Sequence, residues 1–132
     1  MSDPIRKALN TRMNTIAGYT IAWENVEQDP PEGVYLETML LPAQPTQASY
    51  GVGGYNRHMG IFQVTVVGRA GDGVAETDTA VQAVIDLFPR GQVVTADGVN
   101  VVIESSGPGP GLKDGNRWRV PVSIYYRADR AP

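Results

Sequence analysis

Residues 60–67 read Gly60-Ile-Phe-Gln-Val-Thr-Val-Val67, and this stretch decides the fold. It is rich in β-branched residues, which fit a pleated, half-buried surface. Phe62, Val64 and Val66 alternate with Gln63 and Thr65, so one face reads as core. A glycine-broken turn follows, Gly68-Arg-Ala-Gly-Asp-Gly73. Thr77, Ala80, Val81, Val84 and Phe88 then recur at three- and four-residue steps, the apolar stripe of a helix lying on a sheet. Pro89 and Gly91 stop that helix. Residues 92–103 read as a hairpin whose Asp97-Gly98 suits a two-residue type I′ turn. Strand, helix and hairpin form an α+β unit against which the rest must pack.

Upstream, Asp3-Pro4 opens a helix, with Asp as N-cap and Pro at the first helical position. Ile5, Leu9, Met13 and Ile16 share one face, and Gly18 ends the helix. Thr20-Ile-Ala-Trp23 reads as a first strand and Val34-Tyr-Leu-Glu-Thr-Met-Leu-Leu41 as a second, hairpinned to the first. Between them, Glu24, Glu27, Asp29 and Glu32 form an acidic tip. Residues 42–57 make a long loop in which Tyr50 and Tyr55 flank Gly51, Gly53 and Gly54. Loops this long are uncommon in compact domains and are usually functional or disordered, and tyrosine on a polar segment suits a protein contact. Downstream, proline and alternating glycines from Glu104 to Asn116 are expected to forbid regular structure. The last strand places Trp118, Val120, Val122, Ile124 and Tyr126 on one face. Arg117, Arg119, Pro121, Ser123, Tyr125 and Arg127 fall on the other, and Pro121 points to an exposed edge.

The expected fold is α+β: a mixed, mainly antiparallel β-sheet with two α-helices packed on it and long Gly/Pro-rich loops, in one domain over 1–132. Strands are expected near 20–24, 34–41, 60–67, 92–96, 99–104 and 117–127, and helices near 4–16 and 74–88. Phe62, Val84, Phe88, Trp118, Val120 and Ile124 are the expected core.

Composition narrows the function. The 132 residues suit one domain, and the absence of cysteine excludes disulfides and thiolate metal sites. A formal charge of −3 gives no sign of the basic face that nucleic-acid binding requires. Apolar runs are strand-sized, short of a membrane span, and no secretion signal is evident, so a soluble intracellular protein is expected. No catalytic set emerges. His58 is the only histidine, no Gly-x-Ser-x-Gly elbow exists, and the nearby Ser49 sits in the long loop. The acidic tip lacks the Asp-x-Asp-x-Asp-Gly spacing of a calcium loop. Gly68, Gly71 and Gly73 are in the wrong order for a phosphate cradle, and Asp72 would repel a phosphate but makes sense as an N-cap. An enzyme would have to draw on Arg57, His58 and Arg69 beside the central strand. The profile favours an assembly component, with no cofactor and no metal.

The arrangement resembles the tail-terminator (tail-completion, minor tail protein U-like) proteins of long-tailed bacteriophages. The matching features begin with the N-terminal helix, Trp23-Glu24-Asn25, and Tyr35-Leu36-Glu37 through Leu40-Leu41. The Gly-rich loop, Arg57-His-Met-Gly-Ile-Phe-Gln-Val64 and the helix ending Leu87-Phe88-Pro89 follow, and Trp118-Arg-Val-Pro-Val122 to Tyr126 closes the pattern. The resemblance implies a virion protein, assembled in the host cytoplasm and sited at the head-proximal end of the tail. It implies a homohexameric ring that caps the tail tube, stops its polymerisation and offers a face to the head–tail connector, while DNA passes through the lumen unbound. A head–tail stopper of the same neck is the neighbouring alternative. A ring is a closed heterologous assembly, so exposed edges and a polar strand face are candidate contacts. Tyr50, Tyr55, Arg57, Arg117, Arg119 and Arg127 are the candidate interface residues, since tyrosine and arginine are enriched in interfaces. The acidic tip could supply carboxylates to the arginines.

Overall fold

The computed structural model describes residues 4–24, 33–42, 46–47, 56–71 and 75–130, with backbone alone at 46, 47, 56, 129 and 130. Along the chain these form α1 (Pro4–Met13), β1 (Thr20–Ala22), β2 (Tyr35–Pro42), β3 (Thr46–Gln47) and β4 (Asn56–Arg69). Then come α2 (Ala75–Leu87), β5 (Val93–Ala96), β6 (Val99–Pro108), β7 (Leu112–Asp114) and β8 (Arg117–Arg130). The strands form one mixed, mainly antiparallel sheet in the order β1-β2-β4-β8-β6-β5, with β3 on β4 and β7 on β8. The expected α+β class holds.

The alternation read around Phe62 sets the layers. Leu36, Leu40, Phe62, Val64, Val66, Val120, Val122 and Ile124 point to one side of the sheet, where both helices lie in a single buried cluster. From α1 come Ile5, Ala8, Leu9 and Met13; from α2 come Ala80, Val81 and Val84, with Phe88 just beyond it. Phe88 meets Phe62 edge to face at a centroid distance of 5.9 Å, the geometry favoured by the ring quadrupoles. Of the six expected core residues only Trp118 departs. It is half-buried, its indole packed where β7 begins, and a Cβ at Gly111 would stand 2.1 Å from its ring.

Helix α2 lies close against β4. A Cβ on Gly68 would fall 2.6 Å from the buried Thr77 methyl, so glycine permits that approach. The Asp97-Gly98 turn has positive φ at both residues, 52° and 79°, as a type I′ turn requires. The N-cap assignments of Asp3 and Asp72 lie outside the described residues.

Four expectations are corrected. β1 and β2 are not a hairpin: they pair in parallel, Thr20 opposite Tyr35. The Glu104–Asn116 stretch is not irregular throughout, because β6 runs to Pro108 and β7 pairs with β8. Proline is tolerated there because Gly109 donates to Pro121, so Pro108 turns its missing N–H away from β8, beyond the end of β5. Nor does Pro121 mark an edge. β8 is an inner strand between β4 and β6, and Pro121 faces the short Gly109 connection that links β6 to β7. The loop 42–57 is shortened at its ends by β2, which runs to Pro42, and by β4, which starts at Asn56, and is interrupted by β3.

Candidate assembly surface

Long strands with a period of two expose a second face, opposite the helices. On β4 and β8 the register Ile61–Tyr125, Gln63–Ser123, Thr65–Pro121 and Val67–Arg119 lines up the odd-numbered side chains there. On β2, Tyr35, Glu37, Met39 and Leu41 join them. No helix covers this face among the described residues.

The arginines expected to reach a neighbour are engaged within the chain. Arg119 donates through Nη1 to Glu37 Oε1 and through Nε to Asp114 Oδ2, the latter at 3.1 Å. Burial pulls the Arg119 pKa down, but the Glu37 hydrogen bond and charge, with Tyr35 and Asp114, outweigh it and hold the group above its ordinary value. Arg117 stacks its guanidinium over Tyr35, 5.7 Å from the ring centroid. Arg127 pairs with Glu104 at 3.0 Å, across the register shift in β6. The acidic-tip carboxylates beyond Glu24 lie outside the described residues, as do Tyr50 and Tyr55. Arg57 sits near the start of β4 on this same face, in register with Asp129.

What the sequence reading missed is apolar. Every exposed large hydrophobic residue among those described belongs to this face: Met39, Leu41, Met59, Val93, Leu112 and Tyr125, between 40% and 64% exposed. Met39 and Leu41 on β2, Ile61 and Met59 on β4 and Tyr125 on β8 are neighbours by register. A contiguous exposed apolar patch with charge neutralised around it has the character of an interaction surface. The signal was present in β2, whose second half is apolar at both parities: Leu36 and Leu40 face the core, Met39 and Leu41 face outward.

The β2 edge is less open than expected. β1 covers only Tyr35 to Glu37 of β2. Past that point the Leu40 N–H donates to Glu24 Oε1 at 3.2 Å, Arg6 holds the other carboxylate oxygen, and Pro42 brings no N–H. This closes the edge to strand addition.

The residues an enzyme would need do not converge. Arg57 and His58 are consecutive on a strand, so they point to opposite faces, and Arg69 lies roughly 40 Å along β4 at about 3.3 Å per residue. A shallow depression of about 410 Å³, bounded by Ile85, Asp86, Pro89, Arg90, Ser105 and Ser106, contains none of them. Among the described residues no group of acidic or histidine side chains could hold a metal ion, and no helix is long and apolar enough to cross a membrane.

The chain matches the family described as phage tail terminator protein over residues 4–126. No curated protein matches it. A solved structure whose name is only a sequence label shares 29% identity, covering 97% of this chain and 95% of its own, with a TM-score of 0.77. A chain from the virion of a native gene transfer agent particle shares the fold at 19% identity and a TM-score of 0.64, covering 96% of each chain. That family is one of structural virion proteins rather than enzymes. This chain belongs to the phage tail terminator family and is a structural component of the bacteriophage tail.

Proposed function

We propose that this chain, a single domain over 1–132, forms a closed ring of six copies on the end of the tail tube and stops its polymerisation. The ring sits at the head-proximal end of the tail and assembles in the host cytoplasm. Its outer side offers the attachment face for the head–tail connector, and DNA passes through the lumen without specific binding.

The observation that carries this reading is the apolar patch on the helix-free face. A chain whose exposed large hydrophobics gather on one sheet face is built for a protein partner. The net charge of −3 suits a lumen that must let DNA slide. Arg117, Arg119 and Arg127 contribute as a pre-ordered frame around the patch, held by partners within the chain. Arg57, where β3 meets β4, is a further candidate contact, and Tyr50 and Tyr55, outside the described residues, are candidates by their residue type alone.

Removal of the protein from phage assembly tests the function. Tails of uncontrolled length that fail to join heads are expected. Tails of normal length that still join heads would reject the reading.

A further inference from the structure

The ring reading requires two different surfaces on one chain, and within the helix layer the two helices differ in sign: α1 carries Arg6, Lys7 and Arg12 with no carboxylate, whereas α2 is acidic. The helix-free face bears five arginines against three carboxylates among the described side chains, with the apolar patch at its centre. Arg69 is exposed there and has no carboxylate partner among the described residues. On the opposite layer, α2 carries Glu76, Asp78 and Asp86 and no basic residue at all. All three are exposed.

Glu76 and Asp78 have a local reason to be acidic, since the first turn of a helix favours negative charge. Asp86 has the opposite local preference. It lies in the last turn, where the helix dipole disfavours a carboxylate. Its recorded hydrogen bond comes from Gln82 Nε2 at 2.8 Å, which adds no charge. Asp86 also borders the shallow depression, beside the half-buried Ile85 and the exposed Pro89. The outer face of α2 therefore joins exposed carboxylates to a hollow whose border includes the apolar Ile85 and Pro89 beside Arg90, Ser105 and Ser106, so its match to the sheet face lies in the α2 carboxylates and the Ile85–Pro89 side.

Resting on the ring reading above, we propose that the helix-free sheet face of one copy docks on the outer face of α2 of a second copy, head to tail. Met39, Leu41 and Tyr125 meet the hollow beside Ile85 and Pro89, and Arg69 meets the α2 carboxylates. The contact is heterologous, so an open chain of subunits keeps one unused surface at each end until the ring closes. Strand addition at the β2 edge is not available to do the same, because Glu24 and Pro42 close it.

Two variants of the full chain test this by sedimentation velocity and light scattering. Met39→Asp with Tyr125→Asp spoils only the sheet face; Asp78→Arg with Asp86→Arg spoils only α2. Each alone is expected to shift from the mass of the ring to that of a monomer while keeping the wild-type circular dichroism. Mixed together they are expected to form one-to-one dimers and nothing larger, because each supplies the surface the other lacks. If the α2 variant fails to fold, Gln82→Arg places a lesion on the same exposed face with the carboxylates intact. Assembly of either variant to the wild-type mass would overturn the proposal, as would a mixture that stays monomeric. A sheet-face variant that still forms rings but no longer binds tail tubes would assign the patch to the tube instead, and overturn it. In those cases a wild-type ring leaves the terminator reading standing. A wild-type chain that is monomeric at every concentration yet restores tail length would remove the ring itself.

Discussion

Arg119 on β8 reaches across β4 to donate to Glu37 on β2, so one ion pair spans three strands of the sheet. Its side chain is 30% exposed and that of Glu37 is 36% exposed, which puts the pair between the surface and the core. Arg119→Ala should cost about 1 kcal/mol, the range of a partly screened, charge-assisted contact. Arg119→Glu should cost more, because Glu37 and Asp114 would then face a like charge. The Arg119 pKa is raised, so its contribution is complete below the ordinary arginine value and fades only as pH climbs past the folded one. The alanine variant should accordingly lose the same stability at about pH 6 as at about pH 9, arginine being fully charged at both. Urea titrations at the two values check this; a loss confined to one would show that another group carries the effect.

Phe88 is fully buried and meets Phe62 edge to face just past the end of α2. Phe88→Ala leaves a cavity under the helix and should destabilise the chain by about 3–5 kcal/mol. Chemical denaturation measures the difference. Near-native stability would mean that the helix end can collapse into the space.

Much of this architecture was legible because local rules and tertiary contacts agree. The alternation of Phe62, Val64 and Val66, the stripe from Thr77 to Phe88, and Asp97-Gly98 each specify one structure without help from distant residues. The errors arise where a distant partner decides. β1 has three residues, too few to show whether it joins β2 in parallel or as a hairpin. Gly107, Pro108 and Pro121 discourage a strand locally, yet each of the two prolines sits where the ladder asks for no donor. The arginines were visible in the sequence, but their carboxylates were not, since Glu37 lies 82 residues from Arg119. The apolar patch was hidden by the rule that found the core: in β2 and β4 the outward positions are themselves partly apolar, and periodicity alone does not say which face meets solvent.

Gly68 tests the fit of α2 on the sheet. Its φ is unremarkable, so alanine is excluded by space and not by backbone preference, the new methyl falling 2.6 Å from the Thr77 methyl. Gly68→Ala should push the helix off β4 at a cost of about 1–3 kcal/mol. Adding Thr77→Ser removes the clashing methyl and should recover part of that loss. A double-mutant cycle reads the coupling, and strictly additive effects would place the strain elsewhere.

The Glu24 carboxylate joins two jobs at the β2 edge: one oxygen accepts the Leu40 N–H, and the other takes Arg6 from α1. Glu24→Gln keeps an acceptor for the backbone and loses the charge, so it should destabilise by less than about 1 kcal/mol. Glu24→Ala removes both partners and leaves a strand donor open to solvent at the sheet edge. Its stability loss should be larger, about 1–2 kcal/mol, but its main effect should be on association, because an uncovered edge pairs with other chains. The alanine variant should form β-rich aggregates at concentrations where the glutamine variant stays dispersed. Light scattering with circular dichroism separates the two effects. If alanine and glutamine behave alike in both, the carboxylate serves α1 through Arg6 alone and the β2 edge is guarded by Pro42 and the short β1.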